Sequence, residues 1–246
     1  MDNAWRIIIV TPTYNEIGNL SEFVEKIMAL EFYSLELVIV DDNSPDGTGN
    51  LADQFARKHP HLISVIHRPT KLGLRSAYEC GFQFAVESGA EIIIQMDTDL
   101  SHDPGDIPSL VGKLDAADVV IGSRYIKGGG LDDSWSSLRK YLSYFGNLYI
   151  RLVGGIGVHD GTSGFKAVRR VVLDKVDFSK FRCYGYGFQA EFTRACLESG
   201  FVVVEQPIIF KDRAHGTSKI SWGIIFEALW KIPIYRLQRI KLKLFR

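Results

Sequence analysis

Short runs of Ile and Val recur along the chain, separated by stretches whose apolar residues return every three or four positions. Arg6 to Thr11 and Leu35 to Val40 read as strands, and Ile17 to Leu30 between them has helical spacing. Ile63 to His67 gives a third strand, Ser76 to Ser88 a helix of apolar and small residues, Glu91 to Met96 a fourth strand and Asp118 to Gly122 a fifth. After Gly200, Phe201 to Glu205 and Pro207 to Phe210 read as further extended pieces. This alternation predicts an α/β fold, a Rossmann-like and mainly parallel sheet with helices on both faces. Ligands bind such sheets at the carboxyl ends of the strands. The glycine-rich stretch Lys127-Gly128-Gly129-Gly130 reads equally as a mobile lid or a plain surface turn, with a helix starting near Ser136 or Ser137. No repeat or low-complexity linker divides the chain.

Composition narrows the partners. The 246 residues are 46% hydrophobic and 24% charged, as in an ordinary globular protein with one catalytic domain. A formal net charge of zero removes the long-range attraction a nucleic-acid binder would use, so no nucleic acid is expected as a partner. Cys80, Cys183 and Cys196 are widely spaced without a CxxC pair and read as reduced, buried thiols. The run Ile7 to Val10 is too short for a signal peptide. No stretch reaches the roughly 18 consecutive apolar residues of a membrane span. A cytoplasmic catalytic part is therefore expected.

The strand ends carry the candidate chemistry. The first strand ends in Thr11-Pro12-Thr13-Tyr14-Asn15-Glu16, which lacks the glycine fingerprint of a dinucleotide-binding fold. The second ends in Asp41-Asp42-Asn43-Ser44-Pro45-Asp46-Gly47-Thr48. These three carboxylates suit ribose hydroxyls or base N–H groups, and equally an Asx-rich turn capping a helix that starts near Thr48. The fourth strand ends in Asp97-Thr98-Asp99-Leu100-Ser101-His102-Asp103-Pro104. Alternation along an extended chain lets Asp97 and Asp99 project to one side, a costly like-charge pair unless a cation neutralises it. Two hard oxygen ligands favour Mg2+ or Mn2+ over Zn2+, with donor phosphates and water completing the octahedron. His102 reads as a packing or capping residue before it reads as a ligand.

Together these stretches resemble the family 2 glycosyltransferases and, more closely, the dolichyl-phosphate mannose synthases. Further matching segments are Lys71-Leu72-Gly73-Leu74-Arg75-Ser76-Ala77, Gly122-Ser123-Arg124-Tyr125, Asp160-Gly161-Thr162-Ser163-Gly164-Phe165-Lys166, and Asp212-Arg213-Ala214-His215-Gly216-Thr217-Ser218-Lys219. Two positions depart from the pattern: the usual DAD reads Asp97-Thr98-Asp99, and Lys166 stands where arginine is common, keeping the charge but losing the bidentate fork.

The resemblance implies a GT-A type fold over residues 1–219 and transfer of mannose from GDP-mannose to dolichyl or polyprenyl phosphate. It places Pro12, Tyr14, Glu16, Asp41, Asp42 and Asp46 around the nucleoside, Arg75 and Thr98 near the donor, and the cation on Asp97 and Asp99. Arg213 and Lys219 would approach the diphosphate, with Asp99 and Arg213 the catalytic pair, and Arg124, Arg139 and Ser143 would hold the acceptor phosphate. A phosphate monoester is mostly a dianion at neutral pH and attacks without a general base, in a single inverting displacement. Glu191 reads as structural or donor-orienting before it reads as a general base.

Residues 220–246 mix Trp222, Phe226 and Trp230 with Lys231, Arg236, Arg239 and Lys243. This suits an interfacial helix on anionic lipid, or an ordinary amphipathic helix packed on the catalytic domain. The resemblance adds a small membrane protein as a further partner. The expected location is the cytoplasmic face of a membrane, endoplasmic reticulum in a eukaryote or plasma membrane in a prokaryote. The competing readings are a polyprenyl-phosphate glucose or N-acetylhexosamine synthase using a UDP-sugar, and a non-catalytic membrane-associated relative.

Overall fold

Seven strands form one mixed sheet in the computed structural model, which describes residues 5–183 and 187–212. The first half winds β1 (Arg6–Thr13), α1 (Ile17–Met28), β2 (Ser34–Asp41), α2 (Thr48–Lys58), β3 (Ile63–His67), α3 (Leu74–Glu87), β4 (Ile92–Gln95) and α4 (Ile107–Gly112). There follow β5 (Val119–Ser123), β6 (Gly130–Leu131), α5 (Ser137–Gly154), β7 (Lys166–Arg169), α6 (Arg170–Lys175), α7 (Gly187–Glu198), β8 (Val203–Pro207) and β9 (Ile209–Phe210). The sheet order is β3-β2-β1-β4-β7-β5-β8. All pairings in it are parallel except the two made by β7, which runs against both β4 and β5.

The Ile and Val runs form central strands because both of their faces are covered. Ile8 and Val10 of β1 join one core with Val38, Tyr78, Phe82, Phe188 and Phe192, beneath α3 and α7. Ile7 and Ile9 point the other way, into a second core with Leu20, Phe23, Leu37, Ile107 and Leu110, beneath α1 and α4. The α1 stripe of Leu20, Phe23, Val24 and Ile27 follows the helical repeat. Burying each such side chain contributes roughly 1.5–3 kcal/mol. On the other face α3 approaches the sheet at Gly81, where a Cβ would collide with Val10 and come within 3.1 Å of Val40.

Two features depart from the sequence expectation. β7 has no long apolar run because its ends are Lys166 and Arg169. Both are satisfied inside: Lys166 is fully buried, and Arg169 donates to the backbone carbonyls of Leu114 and Ala117. The glycine-rich stretch is neither a free loop nor a simple turn, since Gly130–Leu131 pairs in parallel with Ile209–Phe210. Cys80, Cys183 and Cys196 are free thiols, the last two buried, and burial pushes the Cys196 thiol up to about 12.

Candidate active site

The direction of winding reverses at β1: β2 and β3 lie to one side of it and β4 to the other. The carboxyl ends of β1 and β4 therefore flank the crevice where open α/β sheets take ligands. Backbone strain is concentrated at that edge. Among the described residues, the only non-glycine residues with positive φ are Asn15, Asn43 and Leu100, at 58°, 58° and 59°, one beyond each of β1, β2 and β4. Asn tolerates this conformation, whereas Leu does not without cost, and such strain clusters at ligand-binding sites.

A cleft at this edge is lined from β1 and its loop by Pro12, Thr13, Tyr14 and Glu16. Asp42 and Lys71 line it beyond β2 and β3, Gly73, Leu74 and Ala77 at the start of α3, and Asp97, Thr98 and Asp99 beyond β4. The three carboxylates after β2 divide between the two uses foreseen for them. Asp41 accepts from Thr13 Oγ1 at 3.0 Å, Ser44 Oγ at 2.6 Å and Ser44 N at 3.1 Å, so it builds the turn. Asp46 ties down the start of α2, accepting from Thr48 N at 3.0 Å and Thr48 Oγ1 at 2.6 Å, and from Ile17 N at 3.2 Å. Burial opposes its ionisation, but these hydrogen bonds hold the carboxyl below its usual range.

Only Asp42 of the three lines the cleft, and it pairs with the buried Arg68 at 2.8 Å. Arg68 is itself anchored, donating to Ser76 Oγ at 2.6 Å. Burial pushes the Asp42 carboxyl up, against the opposing pull of Arg68 and the backbone N–H groups of Gly73 and Leu72. Arg75 is not part of the cleft wall: its Nε donates to Glu79 at 2.9 Å and its Nη1 to the Phe181 carbonyl at 2.5 Å. Lys71 is, with Nζ 3.7 Å from the centre of the Tyr14 ring. Its segment is part of the resemblance, but spacing alone does not single out that lysine.

The Asp97–Asp99 stretch is wired into the fold. Tyr78 Oη donates to Asp97 Oδ1 at 2.7 Å, and Asp99 Oδ1 accepts from Ser101 N at 3.1 Å. Thr98 turns its hydroxyl inward, sharing a 2.7 Å hydrogen bond with Thr11 and donating to the Pro12 carbonyl at 3.3 Å, so this departure from DAD ties β1 to β4. Among the described residues no cluster of three or more His, Cys, Asp or Glu side chains could cage a metal. The donor set does fit a hard divalent cation that takes only part of its shell from protein. Asp97 and Asp99 both border the cleft, and beside Asp99 the buried Ser101 Oγ has no hydrogen-bond partner among the described residues. His102 packs between Phe165 and Phe210, at centroid distances of 5.2 and 5.0 Å, and burial lowers its imidazole to about 4. Asp103 caps the turn that follows, accepting from Gly105 N at 3.0 Å.

Residues 8–177 match glycosyl transferase family 2. The chain is a family 2 glycosyltransferase. It is 42% identical over 228 residues to a polyprenol monophosphomannose synthase of Mycolicibacterium smegmatis, covering 92% of this chain and 85% of that protein. It is 40% identical over 224 residues to an undecaprenyl-phosphate mannosyltransferase of Micrococcus luteus, covering 91% of each. In fold it is similar to the glucosyl-3-phosphoglycerate synthase of Mycobacterium tuberculosis solved with Mn2+, UDP and phosphoglyceric acid. That match has a TM-score of 0.65 and 18% identity, covering 96% of this chain and 78% of that one.

Across the sheet, the glycosyltransferase carries a second polar cluster beyond β5. Arg124 makes a buried bidentate pair with Asp160, Nε to Oδ2 and Nη2 to Oδ1 both at 2.7 Å, and Nη2 also reaches Thr162 Oγ1 at 2.8 Å. Burial alone would raise the Asp160 carboxyl, but the Arg124 charge and hydrogen bonds hold it below its usual range. Thr162 also accepts from Asn147 Nδ2 at 2.9 Å, and Ser143, one turn earlier on α5, accepts from Tyr125 Oη at 2.6 Å. Arg139 lies one further turn back, half-exposed, 3.9 Å from the centre of the Trp135 ring and 3.4 Å from Asp212. The structure thus links Arg124 and Ser143 through α5 and leaves Arg139 on a partly solvated helix face.

Beside this cluster, the transferase exposes Leu138, Tyr141, Leu142, Phe145 and Leu152 on α5, at spacings of three, four and seven. Glu191 is structural in its contacts, accepting from the backbone N–H groups of Arg182 and Cys183. It borders a separate, larger depression of about 540 Å³ that holds none of the Asp97–Asp99 carboxylates. Arg213, Lys219 and residues 220–246 lie outside the described residues.

Proposed function

We propose that the enzyme transfers mannose from GDP-mannose to a polyprenyl phosphate of the dolichyl or undecaprenyl type. The observation that carries this reading is the pairing of the Asp97–Asp99 cleft with a polar cluster of Arg124, Ser143 and Arg139, beyond β5 and along α5, that adjoins an exposed apolar stripe. The first suits a nucleotide diphosphate and the second a phosphate on a lipid. The relatives named polyprenol monophosphomannose synthase and undecaprenyl-phosphate mannosyltransferase support the same choice of sugar and acceptor.

Pro12, Tyr14, Glu16 and Asp42 would bound the nucleoside, and Asp97 and Asp99 would hold a divalent cation, Mg2+ or Mn2+. When bound, the cation supplies Lewis-acid neutralisation of the leaving diphosphate. Ser143 and the guanidinium groups of Arg124 and Arg139 would orient the acceptor phosphate, whose dianion needs no base to attack. The displacement is direct and inverting. Binding occurs at a membrane surface on the cytoplasmic side, with the α5 stripe of Leu, Tyr and Phe side chains against lipid. Among the described residues no helix is long and apolar enough to cross a membrane.

The test is transfer of radiolabelled sugar from GDP-mannose, and in parallel from UDP-glucose, to a short polyprenyl phosphate with Mg2+ or Mn2+. Mannosyl transfer that disappears in Asp99→Ala supports the donor, the acceptor class and the cation site together. Transfer from UDP-glucose alone would replace the donor, and no transfer to lipid from either would refute the acceptor.

A further inference from the structure

We propose that Tyr78 is a positioning residue, whose hydroxyl holds the Asp97 carboxylate in the orientation that cation and donor binding require, braced by a buried polar strut running back to Lys166. This rests on the reading of Asp97 as a cation-binding carboxylate.

Tyr78 is fully buried on α3, in the middle of an apolar core. Its ring stacks on Phe82 at 5.6 Å and on Phe188 at 6.2 Å, which fixes where the hydroxyl points. A phenylalanine would fill the same aromatic stack. A buried hydroxyl contributes little net stability and costs free energy if unpaired, so the stack alone gives no reason for the oxygen. Its partner is Asp97 Oδ1 at 2.7 Å, on a side chain that borders the cleft.

The hydroxyl is supported from behind. The Gln95 side chain lies within hydrogen-bonding reach of it. Gln95 Nε2 also donates to Gln189 Oε1 at 2.7 Å, and the same oxygen accepts from Lys166 Nζ at 2.6 Å. Lys166 donates further to the Ser163 carbonyl. The other Asp97 oxygen is hemmed in by the same loop: a Cβ on Gly164 would sit 3.2 Å from Oδ2. Tyr78 and the Ser163–Gly164 backbone therefore approach Asp97 from α3 and from the lead-in to β7. The buried polar layer under the cleft thus reaches the Asp97 carboxylate through the Tyr78 hydroxyl. Outer hydrogen bonds of this kind typically change metal affinity 10- to 100-fold when removed.

The experiment compares wild type, Tyr78→Phe and Phe82→Leu. Three quantities are measured on each protein: the thermal midpoint, GDP binding without metal, and Mn2+ binding in saturating GDP, followed by electron paramagnetic resonance of free Mn2+. The expected result is about 10-fold weaker Mn2+ binding in Tyr78→Phe, with metal-free GDP binding changed less than about twofold. Transfer should then recover at high Mn2+, as a raised metal requirement rather than a lowered kcat. Phe82→Leu, which loosens the ring stack and keeps the hydroxyl, should lose thermal stability with Mn2+ affinity unchanged.

Unchanged Mn2+ affinity in Tyr78→Phe, or an equal loss in Phe82→Leu, overturns the proposal. Should Tyr78→Phe fail to fold, 3-fluorotyrosine at position 78 preserves ring and hydroxyl while altering donor strength. Mn2+ affinity that does not move in that protein also overturns it. Wild type that binds no Mn2+ with GDP would remove the cation site itself and this role of Tyr78 with it, whereas a wild-type site indifferent to Tyr78 sinks only the strut.

Discussion

Replacing Asp160 with Asn should unfold this protein at a much lower temperature, although the change removes no volume. Asp160 is fully inaccessible, and its two oxygens receive Arg124 Nε, Arg124 Nη2 and the Arg124 backbone N–H, at 2.7, 2.7 and 3.0 Å. Neutralising it strands a guanidinium whose side chain is only 9% exposed. Breaking one side of such a pair costs about 3–5 kcal/mol, because the remaining charge stays desolvated. For a chain of this size each kcal/mol moves the thermal midpoint by about 2–4 °C, so Asp160→Asn should melt roughly 6–20 °C lower. The double replacement Arg124→Met with Asp160→Leu removes both charges and should lose far less. Urea denaturation of the three proteins at pH 7 measures the difference directly. The pH dependence has a definite sign: the folded carboxyl is held low, so the pair's contribution is complete above the unfolded value of about 3.9. It disappears only as pH falls through the lower folded value. The gap between wild type and Asp160→Asn should therefore be flat from about pH 5 to 8 and close in acid. An Asp160→Asn protein within about 1 kcal/mol of wild type at pH 7 would refute the assignment of this pair as a buried, mutually dependent one.

The remaining predictions concern the cleft and the layer beneath it. Burial holds the Lys166 ammonium down to about 7, so between roughly pH 7 and 10 the unfolded chain carries a proton that the folded one lacks. Wild-type stability should rise through that window relative to Lys166→Met, by at most about 1.4 kcal/mol per pH unit, and parallel stability curves would contradict the shift. Asp42→Ala should raise the KM for the nucleotide sugar at least 10-fold, whereas Arg75→Ala, whose guanidinium is spent on Glu79 and the Phe181 carbonyl, should leave it within about threefold. Equal effects of the two changes would return Arg75 to the donor site. Asp99→Ala should lose metal-dependent GDP binding as well as transfer, measurable by calorimetry with and without Mn2+.

The layered sheet was legible because β1, β2 and β4 are buried on both faces, and such strands need unbroken apolar runs. β7 was not, because its sheet position depends on partners remote in sequence: Gln189 for Lys166 and the carbonyls of Leu114 and Ala117 for Arg169. Lys166 was expected to keep its charge in place of arginine, and burial instead brings its titration to neutrality. The Asp97–Asp99 pair and the residues of Pro12 to Glu16 stood out from their places after strands. Spacing could not separate Asp42 from Asp41 and Asp46, since that division depends on which way the turn at Asn43 aims each carboxylate. Tyr78 gave no signal at all, as a tyrosine within an apolar helical stripe reads as core.

The reversed direction of β7 sets the order in which the site can come into being during synthesis. Lys166 pairs with Gln95, so the strand meets the working edge with its first residue, and the loop before it, rather than the loop after it, supplies Gly164 against Asp97. A chain emerging from the ribosome through Asp99 already holds Asp42, Asp97 and Asp99 with Tyr78 behind Asp97, yet the rest of the backing, Gly164 against the other Asp97 oxygen and Lys166 and Gln189 behind Gln95, arrives only with β7 and α7. A chain ended before β7, which fills the middle of the sheet, would therefore carry the donor's recognition residues with Asp97 held by Tyr78 but open on the side that Gly164 covers.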